Sequence, residues 1–440
     1  MKGQFMNNKK EVYAILNQNK ALLNILRCYP DIEKTTLARE MNISFPTLVK
    51  QLNILKASQI LCNSSKNVLN ENAFLACGIS IGGAQCKITF ASVSNRVIEK
   101  EKLKELCDKV NIFNQSFLKP VSSDSPYGYR YFDTPESEIE LKVCLNSIIE
   151  DILKIDIASK TDISIPPILS IGIALTGSID AEKQIIISSH NVGYLKNIKK
   201  EMLISPDLLL ALKEHDIPIL IDHNAKALAV CEKYSLYQTD NVNVEYCNKT
   251  NIVSLYLGSG IGGGLILDNR LVRGCRNLNG EIGHIAVPRY PGLIGTELKE
   301  KYCTCGATNC LENYIINDVF RMTREDFKKM TSKQLVEKLN SLYDDEKQER
   351  LKILGYYIGW IIDLCVKLLN VGLIIFSGKI TSLMDELWQY ITPSNSSMDY
   401  GRLDCSMINS KYGPLAPTIG AAILSTYPPN ENIEWPLINE

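Results

Sequence analysis

The chain has 440 residues, 45% of them hydrophobic and 22% charged, with a formal net charge of −1. It is too long for one ordinary domain and too apolar for a disordered chain, so two or three packed domains are expected. No apolar run approaches the roughly 20 residues of a membrane span, and the start MKGQFMNNKKEVY lacks the apolar stretch of a secretory signal. A cytoplasmic protein is expected.

Charge divides unevenly. Residues 1–70 carry 10 Lys and Arg against 4 Asp and Glu, a net +6, which leaves −7 for the remainder. A basic end of this kind is a candidate polyanion-binding module. Within it Leu22, Ile25 and Leu26, then Leu37 with Met41, then Leu48, Leu52 and Leu55 recur at helical spacing and predict three short amphipathic helices. Between the last two lies MNIS, where Asn42 suits a left-handed turn and Ser44 suits an N-cap ahead of Pro46. That is helix-turn-helix spacing. The outer face of the third helix would present Ser44, Thr47, Lys50 and Gln51 to base edges or phosphates, with Lys34 and Arg39 as phosphate contacts. A small protein-docking module is the alternative reading of the same helices.

NSSKNVLNEN, residues 63–72, reads as part of a wing and a linker, and a new domain is expected near Phe74. From there the apolar runs FLACGIS, ITFASVS, ILSIGIAL, IPILID, IVSLYLGSGIGGGLIL and GLIIFSG alternate with helical patterns, the mark of an α/β domain. Residues 113–137 and 239–250 read as surface insertions. Two glycine hairpins, ISIGGAQCKI and LGSGIGGGLI, resemble turns that let backbone approach a phosphate; in the second, Gly258, Ser259, Gly260, Gly262 and Gly263 would line it.

Most of the 14 cysteines stand singly in apolar segments, as reduced core thiols do. Cys303, Cys305 and Cys310 cluster, and GEIGH precedes them. Three thiolates with His284 supply four ligands for a tetrahedral zinc ion, leaving no open position for a catalytic water, so the metal would be structural.

Taken in order, ISIGGA, IGIALTGSID, IDHNAKALAV, LGSGIGGG, GEIGH, CTCGATNCLE and TIGAA resemble the ROK family of sugar kinases and sugar-responsive repressors. The resemblance spans nearly all of residues 74–427, and a preceding helix-turn-helix is similar to the repressor branch. It implies a two-lobed, actin-like (ribonuclease H-like) α/β fold after a winged helix-turn-helix, with a sugar in the cleft. The expected division is 1–70 for the DNA-binding head, 71–222 for the first lobe, completed by a helix near 415–430, and 223–414 for the second lobe. Position by position, it implies that Asn224, Glu281, His284 and Glu312 contact sugar and that His284, Cys303, Cys305 and Cys310 hold zinc.

Departures from the kinase pattern bear on function. Kinases of this family read Glu-Asn-Asp-Ala-Asn at the strand-to-helix corner, where the Asp deprotonates the sugar hydroxyl. Here the corner is DHNAK, and Asn224 stands at the base position. An amide cannot take that proton, and losing a general base costs about 10²- to 10⁴-fold. On an extended corner Asp222 would face the same side but about 7 Å away, and His223 would face the other side. The first hairpin has Ser80 and Ala84 where kinases have the Asp and Thr that meet Mg²⁺ and phosphate. Ser377 and Gly378, followed by Lys379, stand at the paired glycines near adenosine.

The expected protein is a sugar-responsive regulator, most simply a repressor, with no catalytic residue. It would bind operator DNA and a sugar or sugar phosphate, and work as a homodimer or homotetramer. A sugar kinase with an accessory helix-turn-helix, using ATP and Mg²⁺, and a sugar-binding scaffold are the alternatives.

Overall fold

The computed structural model describes residues 9–64, 66–119, 125–189, 191–238, 244–275, 277–299, 301–391, 405–427 and 433–436. Helices α1 (Lys9–Gln18), α2 (Lys20–Cys28), α3 (Lys34–Glu40) and α4 (Phe45–Ala57) form the head. Leu22, Leu26, Leu37, Leu48, Leu52 and Leu55 meet in its core. Asn42 turns the chain at φ 51°, and the Ser44 hydroxyl accepts the Thr47 N–H at 3.3 Å, with Pro46 in the first turn, where its missing N–H costs nothing. The head has four helices where periodicity predicted three. The extra one, KKEVYAILNQ, shows only Val12 and Leu16 as buried apolar residues and turns the aliphatic stem of a buried Lys9 inward.

Leu61 pairs antiparallel with Leu69 in an isolated bridge where a wing was expected. The stretch after it is not a loose linker. Leu69, Ala73 and Phe74 share one apolar cluster with head residues and with Val93 and Leu169 of the next domain. Apolar residues inside a polar, asparagine-rich string anchor it.

The rest is two sheets of the same plan. The first uses β1 (Leu75–Ile81), β2 (Gln85–Ser92), β3 (Tyr129–Asp133), β4 (Ile168–Leu175) and β8 (Ile219–His223) in the order β3-β2-β1-β4-β8. Between them come α5 (Lys100–Val110), α6 (Glu138–Ser159), a small sheet of β5 (Ser178–Asp180), β6 (Ile185–Ser188) and β7 (Lys196–Lys199), and helices α7 (Lys200–Leu203) and α8 (Pro206–Glu214). Helices α9 (Asn224–Ser235) and α10 (Val244–Cys247) lead to β9 (Ile252–Leu257), β10 (Ile261–Leu267) and β11 (Arg270–Leu271). After α11 (Leu311–Tyr314), α12 (Arg324–Lys329), α13 (Ser332–Asn340) and α14 (Asp344–Leu369) come β12 (Leu373–Ser377), α15 (Met384–Leu387), β13 (Ser406–Asn409) and α16 (Ala416–Leu424). The second sheet runs β11-β10-β9-β12-β13. In each sheet an antiparallel meander of three strands is extended by two parallel strands.

Helix α16 packs on β1, β2 and β4, α9 packs on β9 and β10, and the two helices pack on each other. The C-terminal helix thus returns to the first sheet. Residues 113–137 are more than a surface insertion: YRYFD within them is an edge strand, and Phe113 and Phe132 are buried. Residues 120–124 and 239–243, parts of the two expected insertions, lie outside the described residues, and 244–247 are helical.

Candidate functional site

The corner between β8 and α9 is not extended past His223. Helix α9 starts at Asn224, so the two-residue alternation of a strand stops there. The buried His223 side chain caps the helix, with Nδ1 accepting the Ala225 N–H at 3.0 Å. A ring nitrogen that accepts has no proton, so the proton sits on Nε2, which donates toward Glu281 Oε1 at 3.3 Å. The expectation that His223 faces away is corrected: it lies in the cleft against Glu281, but both nitrogens are committed.

Asp222 does not face the cleft side as expected. Its Oδ2 pairs with Arg273 at 2.6 Å and its Oδ1 accepts the His223 backbone N–H at 2.7 Å. It borders a water-sized cavity together with Gly172, Gln184 and Tyr427. The helix start turns His223, the residue before Asn224, into its cap, while Asp222 keeps its place in β8. Asn224 itself points its Nδ2 at Ile81 O, 3.5 Å away, and its buried Oδ1 has no partner among the described residues.

Glu281 sits between two imidazoles, with His284 Nε2 at 3.9 Å from its Oε2. Burial would raise its pKa, but the hydrogen bond from His223 and the positive charge of His284 and Lys226 nearby outweigh that and hold the carboxyl below its ordinary value. Glu312 is 3% exposed; one oxygen accepts the Ile261 N–H at 2.6 Å, and the other pairs with Arg324. A Cβ on Gly260 would stand 3.1 Å from both Glu312 Oε2 and Asn191 Nδ2, so glycine there lets these two side chains close in. The buried Asn191 Oδ1 also lacks a partner among the described residues.

The hairpins have other work. Gly263 donates its N–H to Gly280 O at 2.7 Å, and Gly280 holds φ +91° with no room for a Cβ against Gly263. Gly262 and Gly263 therefore dock the Glu281 loop, and the Ile261 N–H goes to Glu312. Gly258 N–H reaches Gly260 O at 3.0 Å, with Ser259 half-buried at the tip. Ser80 turns from the cleft to Thr418 of α16, with their hydroxyls 2.7 Å apart. Lys379 points its Nζ at the carbonyls of Phe327 and Met330, past the end of α12. Lys226, at the last position of the corner motif, is buried with its Nζ on the carbonyls of Asn277 and Asn279, and burial lowers it to about 8.

His284, Cys303, Cys305 and Cys310 bring one donor atom each within 4.8 Å of all the others. Cys303 Sγ lies 3.4 Å from His284 Nδ1, and Cys305 Sγ lies 3.4 Å from Cys310 Sγ. Ligands of a tetrahedral zinc ion stand about 3.4–3.8 Å apart, so the set fits the ion. Burial would raise Cys303, yet the His284 and backbone hydrogen bonds bring it down to about 6, the thiolate form a metal takes. Arg324 adds a cation 3.6 Å from Cys303 Sγ. Because Nδ1 faces the sulfurs, Nε2 of His284 is left toward Glu281.

On the head, Ser44, Thr47 and Lys50 are exposed along one face of α4 with Phe45, Asn53 and Ile54. Gln51 is half-buried and its Oε1 is turned inside. Lys34 is half-buried at the start of α3, and Arg39 is exposed beside Glu40 at 3.4 Å. Asn191, Arg324 and the His223 cap were not named among the site residues from sequence; only Asn191 carried a signal, since NVGYLKN, residues 191–197, resembles the substrate-lobe segment of the ROK family.

Residues 137–427 match the ROK family. The xylose repressor of Bacillus subtilis is 24% identical over 255 residues, 58% of this chain and 60% of that protein. The xylose repressor of Caldicellulosiruptor bescii is 28% identical over 147 residues, 33% and 31% of the two chains. The N-acetyl-D-glucosamine kinase of Yersinia enterocolitica is 30% identical over 110 residues, 25% and 34%. The matched stretches thus span from about a third to three fifths of these relatives. Among solved structures, a ROK family transcriptional regulator, a homolog of the E. coli MLC protein, superposes with a TM-score of 0.63 at 17% identity, covering 94% of this chain and 96% of that one. A ROK family glucokinase from Streptomyces griseus, in complex with glucose and AMPPNP, gives 0.50 at 15% identity, covering 80% and 99%. With two lobes of one plan, a helical head in front and the family match across most of both lobes, this chain belongs to the ROK family.

Proposed function

We propose that this chain is a sugar-responsive DNA-binding repressor whose ROK domain binds a sugar without transferring phosphate. The observation that carries the reading is the corner: Asn224 holds the base position, His223 has no lone pair to offer, and the Asp222 carboxylate is taken up by Arg273 and a backbone N–H. Among the described residues 222–226 of the corner, no side chain is left to take a hydroxyl proton in one step. The names of the two xylose repressors and of the MLC homolog support the regulatory half.

The cleft is rich in acceptors. Asn191 Oδ1 and Asn224 Oδ1 lack donors among the described residues, and the carboxylates of Glu281 and Glu312 join them. Sugar hydroxyls supply donors; a phosphate dianion supplies none and meets two carboxylates. Zinc on His284, Cys303, Cys305 and Cys310 would fix the loop bearing Glu281 and the helix bearing Glu312, a structural part. The head would grip operator DNA through the α4 face, in a homodimer or homotetramer matched to paired half-sites.

The test is ATP turnover by the purified protein over a panel of free sugars, N-acetylated sugars and their phosphate esters, with thermal shift on the same samples. Stabilisation by a free sugar above its phosphate ester, with no sugar-dependent turnover, is expected. Sugar-dependent turnover would instead establish the kinase reading, which the N-acetyl-D-glucosamine kinase relative favours. In the head, Lys50→Ala should weaken operator binding and flatten the dependence of log K on log salt by about 0.9, the share of one phosphate contact. An unchanged slope removes Lys50 from that role.

A further inference from the structure

Helix α9 has its two ends in different parts of the protein. Its first turn, capped by His223, lies in the cleft, and its last turn carries Tyr234, which is 1% exposed. Twelve residues at about 1.5 Å each separate the ends by about 18 Å. At the far end the Tyr234 hydroxyl lies 2.8 Å from that of Tyr427 and 3.2 Å from Asn24 Oδ1 of α2. Tyr427 Oη stands 2.9 Å from the same Asn24 oxygen and accepts from Arg27 Nη1 at 2.9 Å. Arg27, also in α2, donates its Nε–H to Val93 O at 2.9 Å. Two phenolic protons serve three short contacts, so losing either hydroxyl rearranges the cluster.

Nothing along α9 lets it bend between these ends. Ala225 through Ser235 are all buried. A Cβ on Gly420 would stand 1.8 Å from Ala227 O, and one on Gly264 would stand 2.0 Å from Ala225 O, so backbone presses on backbone on two sides. A displacement at one end therefore moves the whole helix. The head meanwhile has a second anchor on the first lobe. Lys9 Nζ reaches Asp156 Oδ1 at 2.6 Å and His215 O at 2.9 Å, and Tyr13 donates to Leu169 O at 2.6 Å. Helix α1 is thus tied to the first lobe, and α2 is tied both to α9 through Tyr234 and to the first lobe through Val93 O, so α2 is the part of the head that a shift between α9 and the first lobe loads.

We propose that α9 is the lever joining the cleft to the head, with Tyr234, Tyr427, Asn24 and Arg27 as its output joint. Any tilt of α9 against the first lobe pulls α2 against α1 and reorients the DNA-facing α4. The inference rests on the sugar and DNA reading for its input and output, but the mechanical link is tested without either ligand.

Hydrogen–deuterium exchange of the full chain tests it. His223→Ala removes the cap at the cleft end and should speed exchange in the first turn of α9 by about fivefold, the scale of a lost cap. It should also speed exchange in α2, residues 20–28, several-fold. In a Tyr234→Phe background the effect on α2 should vanish while that on the first turn of α9 persists. Tyr427→Phe breaks the same joint from the other side and serves if Tyr234→Phe folds poorly. Unchanged exchange in α2 on His223→Ala, or transmission that survives both phenylalanine variants, overturns the proposal. Transmission found in a protein that binds no sugar keeps the lever and removes the sugar reading.

Discussion

Arg324→Met should cost about 3–5 kcal/mol of stability, the scale seen when one partner of a buried ion pair is removed. Arg324 and Glu312 side chains are 8% and 3% exposed, and the same guanidinium reaches the Cys303 sulfur. With the cation gone, the Glu312 carboxylate keeps its hydrogen bond from Ile261 but stays buried near thiolates. The penalty is the desolvation of an unpaired charge, not the modest net worth of the pair. Urea unfolding should show a lower midpoint with an unchanged slope. Adding Glu312→Gln to Arg324→Met should recover part of the loss, because the orphaned charge goes with it. A cost under about 1 kcal/mol would place the pair in water, as for surface ion pairs, and would contradict the burial of both groups.

How much of this was legible differs by length scale. Strands β1, β4, β9 and β12 were readable because inner strands of a sheet covered on both faces are near-continuous apolar runs, and β8, at the sheet edge, was readable from the short apolar run IPILID. Edge strand β3 was not: YRYFD has only Phe132 fully inside, and its aromatics mimic a decorated loop. The metal set was readable because its spacing is local, and Asn224 because a single position carries its chemistry. The Asp222–Arg273 and Glu312–Arg324 pairs were not, since nothing near either carboxylate in sequence announces a partner 51 or 12 residues on. His223 shows a subtler failure. Alternation along β8 put it on the wrong side only because the helix begins one residue later, and a side chain that caps a helix curls back toward the first turn. Lys9 is similar: a lysine at the start of a helix reads as solvated until Asp156, 147 residues away, takes its charge.

Cys310→Ser should abolish metal binding and weaken the sugar response together while leaving the head able to bind DNA. Cys310 is the residue just before α11, so a metal bound there would also fix the start of the helix bearing Glu312. Around it the Glu281 loop and the cysteine loop are stitched by Val287 N–H to Asn309 O at 3.1 Å and Leu311 N–H to Ile285 O at 3.0 Å. A metal held by His284 and the three cysteines would clamp that seam from the other side. Serine is a poor substitute for thiolate toward zinc, so metal content by mass spectrometry should fall from about one per chain to near zero. Glu281 and Glu312 would then lose their fixed spacing. Forfeiting one charge-assisted hydrogen bond to sugar, worth about 1.5–3 kcal/mol, weakens binding about 10- to 100-fold, which calorimetric titration reads. The head is built on a separate apolar cluster with no member from the metal loops. Operator binding without sugar should therefore persist, with its release shifted to about 10- to 100-fold higher sugar. Sugar affinity that survives complete loss of metal would show that the Arg324 and Ile261 contacts to Glu312, with the backbone seam, hold the site unaided.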